Sequence, residues 1–423
     1  ANANNCNLIR LDYQQEQGFV SALPLGLNQV AVQRGLTTSG TAIFMPFRSC
    51  EVFQPGGLYY GLNAQTKHII LADRKTLKCP NGIVLGTPGS GKSFFAKREM
   101  TNAFFATRDH ILILDPENEY TALTEQLHGQ TIYLAPDSHS YLNPMDLDLS
   151  TDVGESPMLM QADFLLSQCE LMMASYGNPL MPIEKSLIDR CISLVYRDYL
   201  KNPKPENMPI LGDLYQCLRE QHNSRADDLA TAMEIYVTGS LSYLNHRTNV
   251  DLNNRMVCYN TSKLGQGLKK LVMSNVQKHI WQRTAVNRYA GITTRIFLDE
   301  FHLLLKEPQT AAYTAEIYKR FRKWNGIPTS LTQNVKDLLD SSEIENILEN
   351  SDFVLMLNQG ASDRNILAQR LGISPQELNH VTNSGEGEGL LFFGDKIIPF
   401  EDKFPRDTQL YRVMTTKPSD LAA

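Results

Sequence analysis

Basic residues do not outnumber acidic ones in this 423-residue chain: 40 Lys and Arg stand against 46 Asp and Glu, a formal charge of −6. That excludes a globally basic nucleic-acid coat, although net charge averages over faces and leaves room for a local basic channel. The seven cysteines (Cys6, Cys50, Cys79, Cys169, Cys191, Cys217, Cys258) are odd in number, dispersed and never spaced CxxC. This argues against a disulfide framework or a zinc site and suits a reduced cytosolic setting. The nine histidines form no metal-spaced pair such as HxxxH. No uncharged apolar run approaches the ~20 residues that a membrane-spanning helix needs. The opening Ala1-Asn2-Ala3-Asn4-Asn5 is polar and uncharged, unlike a signal peptide, and the missing initial Met is expected of a piece of a longer chain. Repeats and low-complexity tracts are absent. What remains is ordinary globular composition, 42% hydrophobic and 20% charged, long enough for two or three domains.

Four stretches differ in grammar. Residues 1–80 read as a β-rich lead-in of short strands and turns, with apolar segments at Ala42–Phe47 and His68–Ala72 around a Pro55-Gly56-Gly57 turn. From 81 to 150 strand and helix alternate: Ile83–Leu85, a helix over Ser93–Ala106, then Ile111–Leu114 and Thr131–Leu134. Short apolar runs bounded by polar turns suit strands buried on both faces of a parallel sheet. Residues 151–250 carry helical spacing throughout (Met158–Met173, a helix opened by Pro182, Leu211–Glu220, Leu229–Leu244) and read as an all-helical insertion whose Met and aromatic residues form core. The alternation resumes over 251–423, with strands at Met256–Tyr259, Arg295–Leu298, Ile327–Leu331 and Phe353–Leu357 and a long helix over Leu268–Arg288. The predicted class is α/β, a mostly parallel sheet covered by helices on both faces.

Gly86-Thr87-Pro88-Gly89-Ser90-Gly91-Lys92-Ser93 matches GxxxxGK[ST]. Glycines let the backbone turn tightly and aim its N–H groups at phosphate oxygens, and the following helix adds the positive end of its dipole. Lys92 is predicted to reach the β- and γ-phosphates and the Ser93 hydroxyl to ligate Mg²⁺. A chance match in a chain this long is expected roughly one to two per cent of the time, and here the motif also follows a predicted strand and opens a predicted helix.

A second half of such a site needs an acid at another strand end, and Arg295–Leu298 leads into Asp299-Glu300. Asp299 suits the Mg²⁺ shell and Glu300 the polarisation of an attacking water. A kinase needs no water activator, so the second carboxylate favours hydrolysis. No NKxD string selects guanine, which leaves ATP as the expected nucleotide. Lys92 and Asp299 lie 207 residues apart, an excess that the helical insertion accounts for. Gln333, ending the next strand, is placed to contact both the γ-phosphate and the water. Asp115-Pro116-Glu117-Asn118-Glu119 ends another strand; its carboxylates either support the metal shell, compete with Glu300 as base, or only cap a turn. The basic run Lys319-Arg320-Phe321-Arg322-Lys323 is either a solvated face or the source of an arginine finger, Arg320 or Arg322, given to a neighbouring subunit's ATP.

The strings Asn81–Gly86 leading into the glycine loop, Asp115–Tyr120, Leu298–Glu300, Ser330–Asn334 and Gly385–Gly394, with Tyr60-Gly61-Leu62-Asn63 upstream, resemble the conjugative-transfer ATPases of type IV secretion systems. These are the TraE/CagE-like members of the HerA–FtsK superfamily. The similarity covers about residues 50 to 400. It implies a RecA-like core with a helical insertion, and self-association as a hexamer or similar ring with ATP at subunit borders. It also implies an energising role beside other secretion-channel components, at the cytoplasmic face of the inner membrane, and a longer N-terminal domain beyond this chain. Two other functions remain open at this point. One is a DNA-translocating motor of the same superfamily, gripping phosphates through Lys263, Lys269, Lys270 or the 319–323 run. The other is a nucleotide-gated scaffold that does not hydrolyse ATP.

Overall fold

The computed structural model describes residues 10–30, 35–42, 50–149, 156–173, 180–305, 308–333, 342–417 and 420. It divides into two units, Ala1–Ser49 and Cys50–Ala423. The described part of the first contains helices α1 (Gln15–Ala22) and α2 (Thr38–Ala42) rather than strands. The apolar segment predicted over Ala42–Phe47 closes α2 at Ala42 and otherwise lies outside the described residues.

The second unit is organised by one 11-stranded sheet. Its strands are β1 (Leu58–Asn63), β2 (Ile69–Ala72), β3 (Gly82–Leu85), β4 (His110–Asp115), β5 (Gln130–Tyr133), β6 (Met256–Asn260), β7 (Thr294–Leu298), β8 (Gly326–Thr332), β9 (Phe353–Met356), β10 (Glu388–Phe393) and β11 (Lys396–Glu401). The order is β2-β1-β11-β10-β9-β3-β8-β7-β4-β6-β5. From β9 to β5 every pairing is parallel. From β9 outward through β10, β11 and β1 to β2 every pairing is antiparallel.

Strand side chains alternate between two cores, as a period of two requires. Ile83, Leu85, Leu112, Leu114, Ile296 and Leu298 face one core. Val84, Ile111, Ile113, Phe297 and Leu331 face the other. Burial on both sides explains why these strands read as unbroken apolar runs. The second core is closed by α3 (Lys92–Ala106) and α4 (Thr121–Gln126). The first continues into a helical block between β5 and β6: α5 (Pro157–Met173), α6 (Pro182–Val195), α7 (Arg197–Lys201), α8 (Leu211–Arg219) and α9 (Ser224–Val237). The long α10 (Gln266–Tyr289) and α11 (Pro308–Phe321) pack on the same face.

A buried charge network fixes α3 to the sheet. Glu99 Oε1 accepts from Arg74 Nη1 (2.9 Å), Arg295 Nη1 (3.0 Å) and the Tyr60 hydroxyl (3.0 Å). Arg295 Nε also donates to Asp109 Oδ2 at 2.9 Å, and Arg74 Nη1 to Thr329 Oγ1 at 2.8 Å. Charges this deep persist only when paired. The pairing here joins the helix behind the glycine loop to β7 and β8, the strands that carry Asp299 and Gln333.

Candidate functional site

The carboxyl ends of β3, β8, β7 and β4 converge on a cleft of about 1010 Å³. Strand β3 delivers the glycine loop, which is held from both sides. Gly86 N donates to Thr332 O at the end of β8 (3.4 Å), and Thr87 N donates to Asn358 O beyond β9 (2.9 Å). Two kinds of glycine requirement are visible. Gly89 (φ +76°) and Gly91 (φ +101°) adopt left-handed backbone, whereas a Cβ at Gly86 would fall 2.4 Å from Ser90 Oγ and 3.0 Å from Leu357 Cβ. Lys92 opens α3, and its Nζ donates to the loop's own Thr87 carbonyl at 3.2 Å. Burial lowers its pKa, while Glu300, Asp299 and Glu119 oppose the shift. The Ser90 hydroxyl oxygen is buried without a hydrogen-bond partner.

Strand β7 delivers the acids. Asp299 is buried, and burial together with Glu119 pushes its carboxyl up to about 7, against the lowering effect of the Glu300 N–H that it accepts (2.9 Å). Glu300 stands at φ +44°, a conformation that non-glycine residues rarely adopt and that often marks functional sites. Its Oε1 accepts from Gln333 Nε2 at 2.7 Å, and its Oε2 lies 3.1 Å from His302 Nδ1. Asn334, the last residue of the Ser330–Asn334 string, lies outside the described residues.

The structure therefore gathers Pro88, Gly89, Gly91, Lys92, Ser93, Asp299, Glu300 and Gln333 around one cleft, with Thr87 and Ser90 inside the same loop. The Asp115–Glu119 string splits between its readings. Asp115 is fully buried and accepts from Glu119 N (3.0 Å) and Tyr120 N (2.9 Å), which is turn capping. Glu117 and Glu119 face the cleft, and one Glu119 oxygen is buried without a partner.

Arg320 and Arg322 are not in this chain's own cleft. They lie near the carboxyl end of α11, which leads into the opposite end of β8. Arg320 Nε donates to Glu316 Oε2 (3.0 Å) with its guanidinium 5.7 Å from the Trp281 ring, and Arg322 Nη1 reaches Cys79 Sγ (3.4 Å) just ahead of β3. Lys269, one of the lysines offered for a grip on nucleic-acid phosphates, lines the cleft from the first turn of α10. A further wall is built by residues 385–388, from the Gly385–Gly394 string, and by 402–417, which sequence reasoning missed and which includes Phe404, Arg406 and Tyr411. Glycine spacing at 385–389 was its one available signal.

The chain resembles VirB4 of Thermoanaerobacter pseudethanolicus (TM-score 0.74, 22% identity, 86% of this chain and 100% of that one). It also resembles the plasmid coupling protein TrwB in complex with ADP and Mg²⁺ (TM-score 0.54, 12% identity, 86% and 96%) and with a non-hydrolysable ATP analogue (0.52, 13%, 78% and 87%). At these identities the likeness speaks to fold, and the fold is the RecA-like P-loop α/β sheet expected from sequence. No curated protein matches the chain. The profile of the TraG P-loop domain family matches residues 69–384, three quarters of the length, so the chain belongs to the TraG P-loop domain family.

Proposed function

We propose that the chain is a Mg²⁺-dependent ATPase that energises assembly of, or substrate transfer through, a type IV secretion channel. The observation that carries the hydrolytic reading is the Glu300–Gln333 pair, held at 2.7 Å across a cleft from Lys92. The donor set fits a metal-bound triphosphate: an unpartnered buried hydroxyl in a glycine cradle, a lysine satisfied only by its own loop, and an aspartate whose charge is opposed by neighbouring acids. Ser93 and Asp299 would hold Mg²⁺, which would supply positive charge against the triphosphate.

The loop N–H groups and the α3 N-terminus bind the β-phosphate, and Lys92 draws charge from the β/γ oxygens. Glu300 Oε1 orients the attacking water and accepts its proton as the oxygen bonds to the γ-phosphorus, while the bond from that phosphorus to the β-γ bridging oxygen breaks to release ADP. Gln333 fixes the carboxylate through its 2.7 Å hydrogen bond to Glu300 Oε1. An Arg320 or Arg322 finger would act on a neighbour's nucleotide, which suits their distance from this cleft and a ring such as a hexamer.

Among the described residues no helix is long and apolar enough to cross a membrane. The proposed place of work is the cytoplasmic face of the inner membrane, beside other channel components. Phosphate release with Mg²⁺ and ATP, compared for wild type, Lys92→Ala and Glu300→Gln, tests the site. Glu300→Gln should bind ATP yet barely cleave it, and variants that match wild type would remove the assignment. Turnover per protomer that rises with protein concentration would support a finger in trans; a flat rate across the association range would refute it.

A further inference from the structure

At about 1010 Å³ the cleft lies at the top of the roughly 300–1,000 Å³ range of small-molecule sites, and the glycine loop and acids line only part of it. The remainder is walled by residues 385–388 and 402–417, to which the catalytic reading gives no task. This wall is fastened to the phosphate-binding elements. Gly387 N donates to Ser90 O at 3.4 Å, and Asp402 N to Gly387 O at 2.7 Å. Arg98 of α3 pairs with Asp402, and the buried Lys97 of α3 donates to Met414 O at 3.0 Å.

Aromatic rings line this wall where α3 begins. Phe94, two residues after Lys92, meets Phe404 edge-on (centroids 5.7 Å, planes at 68°) and Tyr411 (5.5 Å). The Arg98 guanidinium sits 4.8 Å from the centre of the Phe404 ring, yet Phe404 stays partly exposed and lines the cleft. Arg406, 70% exposed, lines the same wall two residues on, 3.9 Å from Glu386. An aromatic surface with a polar, charged rim is what a purine needs, a π-face to stack on and donors and acceptors around its edge.

Position agrees with chemistry. Phosphates seated at the N-terminus of α3 direct the rest of a nucleotide outward past Ser93 and Phe94. We propose that Phe404, beside Phe94 and on the wall that carries Arg406, is the base-stacking subsite of the nucleotide, so that the C-terminal segment 402–417 reads the nucleoside while the glycine loop reads the phosphates. The inference rests on the nucleotide-binding reading of the cleft.

The test compares Mg²⁺-ATP with Mg²⁺-tripolyphosphate, which has the phosphates but no base, by calorimetric titration. Stacking of a base on an aromatic ring is worth about 5- to 150-fold in affinity. Phe404→Ala should weaken ATP binding by that factor and leave tripolyphosphate within about twofold, and Phe404→Trp should restore ATP binding. Lys92→Ala should weaken both ligands. Equal weakening of both by Phe404→Ala would make the residue a structural support for the loop and overturn the subsite, as would no effect on either. Wild-type protein that binds neither ligand would instead overturn the nucleotide reading, and the subsite with it.

Discussion

Replacing Gln333 with Ala isolates a single contact in the proposed mechanism. Among the described residues the amide makes one hydrogen bond, from Nε2 to Glu300 Oε1 at 2.7 Å, in a half-buried setting at the end of β8. A hydrogen bond to a charged group contributes about 1.5–3 kcal/mol, equivalent to roughly 10- to 150-fold in rate if it is needed to hold the carboxylate in its reactive position. Glu300 has reason to move once released, because its φ of +44° stores strain on the order of 1–3 kcal/mol that its surroundings must hold. Gln333→Ala should therefore lower single-turnover ATP cleavage about 10- to 100-fold and leave ATP affinity within about threefold. Glu300→Gln removes the base itself and should cost about 10²- to 10⁴-fold. Because Gln333 acts through Glu300, the double variant should be no more than about threefold slower than Glu300→Gln alone. Losses that multiply would place Gln333 on the phosphate or water independently of Glu300. A fall in ATP affinity matching the fall in rate would make it a ground-state contact, and either result refutes the positioning argument.

Gly86→Ala places a methyl 2.4 Å from Ser90 Oγ and 3.0 Å from Leu357 Cβ, so ATP affinity should fall at least about 10-fold, with partial recovery in Gly86→Ala/Ser90→Ala, measured by titration. Glu99→Ala strips a carboxylate from the buried Arg74 and Arg295 and should lower unfolding free energy by about 3–5 kcal/mol in a urea titration; a loss under 1 kcal/mol would mean the network is not structural. Lys278 is buried against the carbonyls of Pro144 (2.9 Å) and Asp146 (2.6 Å), and burial drops its pKa to about 7. Above that value the unfolded chain holds a proton that the folded chain has released, so this residue makes stability rise with pH, by about 2 kcal/mol between pH 7 and 9, and makes it fall on acidification. Lys278→Met should flatten that slope in urea midpoints taken at the two pH values; an unchanged slope would show that Lys278 keeps its proton when folded.

The parallel strands were legible because burial on both faces leaves a local signature: Ile111–Leu114 and Ile296–Leu298 are apolar without alternation, and each ends in the acid its position calls for. The helical block was legible for the same reason at period 3.6. On the antiparallel edge β2 was legible as the apolar run His68–Ala72, but β10 and β11 were not. Strand β11 pairs with β1 more than 330 residues earlier, a partnership that neither segment encodes alone. The same non-locality hid the far wall of the cleft, whose link to the glycine loop is one backbone hydrogen bond from Gly387 to Ser90. It also hid that Lys269, near the start of its helix, lines the same cleft as Glu117 and Glu119.

Strand order explains why 207 residues can separate Lys92 from Asp299 without loosening the site. Strand β8 lies between β3 and β7, with Leu85 paired to Thr332 and Leu298 to Ser330. Two strand spacings of about 4.8 Å put the glycine loop and the acid pair nearly 10 Å apart across the top of the sheet. That gap suits a γ-phosphate with an attacking water, and β8 projects Gln333 into its middle. The separation is thus set by backbone ladders between neighbouring strands, and the helical block enters between β5 and β6, at the sheet edge beyond β4, where it adds chain without adding distance. Shortening that block should leave ATP binding intact if its core is closed with polar residues, whereas a proline in β8 at Ser330, which removes one ladder hydrogen bond, should disconnect the acids from the loop and abolish cleavage before it abolishes folding. A Ser330→Pro variant that folds and still cleaves ATP at the wild-type rate would show that something other than the strand ladder sets the gap.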